Sequence, residues 1–257
     1  LRPPVRAKLF AVHFGIAETA VLGSFLAQDL ALFVLFFDLM LVPFYFLLGQ
    51  WGGPERIPAA LKMVIYTLVG SLLMLAAAVA TGVLAPGDNV TFDIAQLASQ
   101  SRRLPVGSQE WIFLFFAAAF LVKMPAFPLH GWMPDGYRAM PLPVLAVFSG
   151  ILSKVAAYGF LRVVLPVYPD AAVHFQELLL LISLASILYG SAMAFTTPDA
   201  RLILGYSSVA QLGFITLGIF ALGEAAGAQG ALLQMLNHGL VVAPLFFIIA
   251  LLVERTG

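Results

Sequence analysis

Lys123-Met124-Pro125-Ala126-Phe127-Pro128-Leu129-His130-Gly131-Trp132-Met133-Pro134-Asp135 is the stretch on which the reading of this chain turns. The lysine follows an apolar run that begins near Glu110, and at about 1.5 Å per helical residue it lies roughly 20 Å along it. Crossing a bilayer core of about 30 Å takes about 20 apolar residues, so the run is long enough to span and Lys123 falls near mid-membrane. An ionisable side chain there costs at least about 2.5–3.5 kcal/mol and needs a partner, water or a task. Pro125 and Pro128 remove helical hydrogen bonds directly after it and predict a break. Broken backbone is tolerated in a membrane only where protein or a water-filled cavity satisfies it, so Lys123 is expected to meet water.

Outward from this point the whole chain reads as membrane-embedded. Of 257 residues 61% are hydrophobic and only 10% charged, and the mean hydropathy is +0.99, against about 45–50% apolar residues in soluble domains. Eight apolar stretches lie at approximately 9–28, 30–48, 62–84, 110–130, 142–165, 175–196, 201–222 and 228–252, predicting an all-α polytopic bundle in the lipid bilayer. Residues 85–109 form the one long connection, in which Phe92-Asp93-Ile94-Ala95-Gln96-Leu97 has the pattern of a short amphipathic turn lying on the membrane surface.

Charge counts set sidedness. The side of the N-terminus carries Arg2, Arg6, Lys8, Arg56, Lys62, Arg138, Arg201 and Arg255, and the other carries Arg102, Arg103 and Arg162, which places both ends in the cytoplasm. The N-terminal Leu-Arg-Pro-Pro-Val-Arg has no signal-peptide cleavage pattern. A first residue other than Met and an end directly behind the last span suggest a piece of a longer polytopic protein.

Thirteen basic against thirteen acidic residues leave no net charge, which removes nucleic acid as a partner. With no cysteine and four scattered histidines, neither a metal or haem shell nor a thiol nucleophile can be assembled, and no cofactor is expected in this chain. Gly-x-Ser-x-Gly elbows and glycine-rich phosphate loops are also missing from the sequence.

What remains is a set of ionisable residues at membrane depth. Asp38 lies roughly 13 Å past Asp29, and Lys154 roughly 17 Å past Pro143. His238 sits in the first half of the last span, and Glu18 in the middle of the first. Each has a plain structural alternative. Asp38 and Lys123 would serve as a static pair that fixes packing, His238 as a hydrogen-bonded packing residue, and Glu18 as a helix-packing contact or one facing a neighbouring chain. His13 and His174, near span ends, are expected to be solvated. Lys154 has no acidic residue in its own span, which makes a purely structural role hard to build. Buried Lys and Asp can exchange protons: the charge state of Lys123 depends on how close Asp38 stands, and Lys154 is the next station. Pro43 and Pro244 lie five and six residues after Asp38 and His238, where they would kink the helix or serve packing alone.

Five runs, in this order, resemble the antiporter-like, proton-translocating membrane subunits of respiratory complex I. Phe36-Phe37-Asp38-Leu39-Met40-Leu41-Val42-Pro43-Phe44-Tyr45-Phe46-Leu47 looks like their fifth helix, Lys123 to Asp135 like the broken seventh, and Lys154-Val155-Ala156-Ala157-Tyr158-Gly159-Phe160-Leu161-Arg162 like the eighth. Tyr206-Ser207-Ser208-Val209-Ala210-Gln211-Leu212-Gly213-Phe214 and Asn237-His238-Gly239-Leu240 resemble the tenth and eleventh, and the ending looks most like subunit M. The resemblance implies an incomplete antiporter-like inverted-repeat fold within a single membrane domain, residues 1–165 matching the first repeat and 175–252 part of the second. It further implies a non-redox, proton-pumping part of NADH:quinone oxidoreductase in a bacterial inner membrane, with other membrane subunits as partners. Lys123 would then pair with an acidic residue, Lys154 would be the central relay, and His238 would link towards the exit, with Gln211 beside it.

Two positions depart from that pattern. Asp38 stands where the family usually has Glu, so contact with Lys123 is expected to be longer or water-bridged. Gln211 stands where subunit M often has His, and an amide orients water without titrating. About three helices at each end of the family fold have no counterpart here. The rivals are a subunit of a multi-subunit cation/proton antiporter, a membrane subunit of an energy-converting hydrogenase, and a structural anchor.

Overall fold

The computed structural model describes residues 5–86 and 89–256. Arg2 and its neighbours Leu1, Pro3 and Pro4, used in the sequence reading, lie outside them. Among the described residues no β-strand forms, and eight helical segments are long and apolar enough to span a membrane.

Helix α1 is Ala7–Leu26, followed by α2 Leu30–Leu39 and α3 Leu41–Trp51. The span expected at 30–48 is therefore two helices joined at Met40. Pro43 explains the position of the break, since its ring opposes the carbonyl four residues earlier, that of Leu39. Asp29 starts α2, its carboxylate accepting from the backbone N–H of Ala31 and Leu32.

Helix α4, Arg56–Leu84, begins earlier than expected, so Lys62 lies inside it, bound to Asp135 at 2.6 Å. Helix α5, Ile94–Gln100, is the amphipathic turn read in the long connection, but its apolar face does not meet lipid. Ile94 and Leu97 are buried in the bundle, and Asp93 caps the helix by accepting from Gln96 N–H at 2.8 Å.

Helix α6, Val106–Lys123, stops at the lysine, and α7, Met133–Ala139, follows the proline segment. Helix α8, Leu142–Val167, is interrupted by two π-helical turns at Phe148–Leu152 and Phe160–Val164, neither of which the residue pattern announces. The short α9, Pro169–His174, leads into α10 Gln176–Thr196, α11 Ala200–Phe220 and α12 Ala225–Thr256. Pro244 sits inside α12 without breaking it.

The centre of the bundle is α8, whose window is the most buried of the eight spans. Its far end is tied to α1 by Tyr158 Oη donating to Phe25 O at 2.9 Å and by Arg162 donating to Gln28 Oε1 at 2.6 Å. At the opposite end Arg201 donates to the carbonyls of Arg138 and Met140, and Arg138 faces Asp199 at 3.6 Å. These charges lie at the end holding Trp51, since Gly53 N–H donates to Ala139 O at 2.7 Å. His174 is exposed as expected. His13 is not solvated: it is buried beside the rings of Phe46 and Trp51 and donates through Nδ1 to Leu9 O at 2.8 Å.

Helices α10 and α11 approach through small residues, because apolar side chains give no hydrophobic gain against lipid and close backbone contact must supply the attraction. A Cβ at Gly190 would sit 2.7 Å from Ala210 N and Tyr206 O, whereas one at Gly15 would meet nothing within 4 Å. Gly190→Ala is expected to lower stability by about 1–3 kcal/mol through overpacking, and Gly15→Ala to leave it unchanged, measured as unfolding of the detergent-solubilised protein.

Candidate functional site

The end of α6 sets the first half of the site. With Pro125 and Pro128 unable to donate, the loosened backbone finds protein partners: Ala126 N–H donates to Leu121 O at 3.0 Å, Phe127 N–H to Ser186 Oγ at 3.0 Å, and Trp132 Nε1 to Val122 O at 2.9 Å. The Phe127–Pro128 peptide is cis. Protein rather than bulk water thus satisfies the break, and Lys123, 4% exposed, borders a cavity of only about 10 Å³, the space of about one water. The expectation that the break would hydrate the lysine is corrected to that extent.

Lys123 Nζ donates to Phe37 O at 2.6 Å, lies 4.0 Å from the centre of the Phe37 ring, and stands 3.7 Å from Asp38 Oδ1. At that separation the pair attracts without a direct hydrogen bond, as the shorter aspartate led one to expect. The same carboxylate oxygen is held by Ser71 of α4, whose Oγ donates to it at 2.5 Å. The two partners differ in surroundings: the Lys123 side chain is 3% exposed and that of Asp38 32%, on the edge of an outer groove of about 500 Å³ between α2 and α4.

The second half of the site is built on α8. Lys154 is 5% exposed and does not reach towards headgroups; its Nζ donates to Ser149 O at 2.8 Å, within the first π turn. A π turn displaces carbonyls from the helical ladder and is frequent at functional positions. Ser149 Oγ is 3.5 Å from Ser208 Oγ of α11, and Ser208 Oγ is 3.1 Å from His238 Nε2 of α12. Lys154, Ser149, Ser208 and His238 therefore form one buried polar row across three helices. The other imidazole nitrogen, Nδ1, is buried and has no hydrogen-bond partner among the described residues.

His238 borders a groove of about 330 Å³ with Gln211, Gln234 and Asn237. Gln211 Oε1 accepts from Gln234 Nε2 at 2.5 Å and makes no hydrogen bond to His238. Lys123 and Lys154 are likewise not hydrogen-bonded to each other; Phe148 and Leu152, on the turn before Lys154, line the Lys123 cavity. Sequence reasoning missed Ser71, Ser149 and Ser208. A serine in a membrane helix commonly bonds its own backbone four residues back, as Ser208 also does to Leu204 O at 2.8 Å, so residue type alone does not mark a bridging one. No cluster of three or more metal-ligating side chains occurs among the described residues.

Comparison with known proteins agrees with this geometry. A family described as NADH:quinone oxidoreductase/Mrp antiporter, transmembrane, matches residues 27–257. A protein of Rickettsia typhi named NADH-quinone oxidoreductase subunit M is 38% identical over 248 residues, covering 96% of this chain and 49% of that protein. One of Rhodobacter capsulatus with the same name is 39% identical over 261 residues, 97% of this chain and 50% of that one. A chain of respiratory complex I from Thermus thermophilus superposes with a TM-score of 0.88 at 35% identity, over 97% of this chain and 54% of that chain. The chain spans about half the length of the curated relatives it matches. The match over almost all of its length, with both lysines buried inside the bundle, shows that the chain belongs to the NADH:quinone oxidoreductase/Mrp antiporter transmembrane family.

Proposed function

We propose that the chain is the central part of a subunit M-like proton-translocating membrane subunit of an NADH:quinone oxidoreductase, coupled to redox chemistry in other subunits of the complex. The observation that carries this reading is the row Lys154–Ser149–Ser208–His238 inside a membrane bundle, in which the amine donates to the backbone carbonyl of Ser149 and the Ser149 and Ser208 hydroxyls lead on to the imidazole. An amine and an imidazole both take up and release protons, and a hydroxyl both donates and accepts, so the row passes a proton once the Lys154 amine turns from the Ser149 carbonyl, which only accepts, to the Ser149 hydroxyl.

Asp38 and Lys123 act on this row electrostatically. At a 3.7 Å separation, attraction between the carboxylate and the ammonium changes steeply with small movements in a low-dielectric interior. Asp38 lies two residues before the Met40 break and Lys123 at the end of its helix, so both stand where the chain can shift. Pulling them apart favours release of the proton from Lys123, and Lys154 is its next station. Towards the other end, His238 passes protons to the groove it shares with Gln211, which orients water. In this reading residues 1–165 form the first repeat and 175–252 part of the second, in a bacterial inner membrane with the Trp51 end cytoplasmic.

A multi-subunit cation/proton antiporter is the second reading, because the matching family includes Mrp antiporters. Proton movement that requires sodium and proceeds without NADH favours it. An anchor is disfavoured by Lys154, which has no acidic partner among the described residues.

In the assembled complex in vesicles, Lys154→Met is expected to leave electron transfer to an artificial acceptor largely intact and to reduce proton pumping severalfold; an unchanged proton-to-electron ratio contradicts the proposal. The paired Asp38→Asn and Lys123→Met variant is expected to assemble without pumping, whereas a frozen pair predicts assembly with normal transport. Single Glu55→Cys and Arg102→Cys variants test orientation: a membrane-impermeant maleimide is expected to label the first from the cytoplasmic side and the second from the opposite side.

A further inference from the structure

Glu18 stands outside the row described above. It lies on the exposed face of α1, roughly 17 Å from the helix start at Ala7, and has no hydrogen-bond or ion-pair partner among the described residues. The carboxyl borders a groove of about 360 Å³ whose other walls are apolar, formed by α1, Phe44 of α3, and Val147, Ile151 and Leu152 of α8. Glu18 is the one ionisable side chain in the lining of that groove.

The groove is separated from the Lys123 cavity by two side chains. Phe44 and Leu152 line both spaces and are themselves buried. Phe44 also meets the Phe148 ring edge-on at 4.8 Å, which holds the partition closed. Phe44 lies in the first turn of α3, directly after Pro43 and the Met40 break, and Leu152 ends the π turn Phe148–Leu152. A shift of either segment joins the two spaces without unfolding a regular helix.

We propose that Glu18 is a further proton-holding site, connected to Lys123 through an apolar gate made by Phe44 and Leu152. This rests on the proton-translocating reading above. With the gate open and water admitted, the Glu18 carboxyl loses its proton to water and the Lys123 amine gains one, giving carboxylate and ammonium with no change in total charge. With the gate closed, the one-water cavity beside Lys123 has no continuous path to the groove.

The test reads passive proton leak in vesicles holding the assembled complex, without NADH, as collapse of an imposed pH step followed by a trapped fluorescent indicator. Phe44→Ala and Leu152→Ala, each normalised to assembled complex, are expected to leak severalfold faster than the unaltered protein. Adding Glu18→Gln to either is expected to return the leak to its original rate. No increase in either gate variant overturns the proposal, as does a leak that persists with Glu18→Gln. Loss of assembly on Glu18→Gln alone, with tight gate variants, assigns the carboxyl to a packing contact and also overturns it. These readings are independent of the pumping of Lys154→Met, so failure of the gate is distinguishable from failure of the proton-translocating reading.

Discussion

A primary amine held inside a membrane bundle with a backbone carbonyl as its hydrogen-bond partner is the constraint around which this structure is organised. Lys154 meets Ser149 O at 2.8 Å and has no carboxylate partner among the described residues. In an apolar interior an ammonium is strongly disfavoured unless its field is answered by dipoles or charge. The fold answers it locally by opening the helical ladder of α8 into a π turn, which frees the acceptor. The same turn presents the Ser149 hydroxyl to Ser208, so the feature that receives the amine also begins the polar row that ends at His238.

Irregular backbone coincides with ionisable side chains elsewhere in the bundle. The α2–α3 break at Met40 follows Asp38, the end of α6 falls on Lys123, and the first π turn precedes Lys154. At the latter two, hydrogen-bonding groups turn to partners outside the helical ladder, as in Phe127 N–H to Ser186 Oγ, Trp132 Nε1 to Val122 O and Lys154 Nζ to Ser149 O. Such positions have more than one satisfiable arrangement, which suits groups whose interaction must change. The rigid counterpart is the α10–α11 pair, where backbone meets backbone at Gly190 and Gly213. In the conformation described, the space beside Lys123 is nearly closed, with Phe44, Phe148 and Leu152 in its wall.

Much of this was legible from residues alone, for identifiable reasons. Span number followed from length and hydropathy, and the break after Lys123 from proline chemistry. The wider Asp38–Lys123 contact followed from a missing methylene. Less legible were features that depend on what packs opposite. Leu97 was read as facing lipid because an amphipathic pattern does not say whether its apolar side meets lipid or protein. His13 was read as solvated because its position near a span end did not reveal Phe46 and Trp51 beside it. The bridging role of Ser149 and Ser208 depends on α8 and α11 lying side by side, which neither local sequence encodes. Glu18 was visible as a charge at membrane depth, but its groove and the two side chains that close it arise from three helices together.

The most direct measurement is of the Lys154 amine itself. Nitrogen-15 magnetic resonance of lysine-labelled complex in membranes, assigned with a Lys154→Arg variant, distinguishes –NH₂ from –NH₃⁺ at that side chain. If the buried amine carries protons, the Lys154 signal exchanges between the two forms when NADH-driven turnover begins. A signal that stays in one form through turnover, while pumping proceeds, would contradict it.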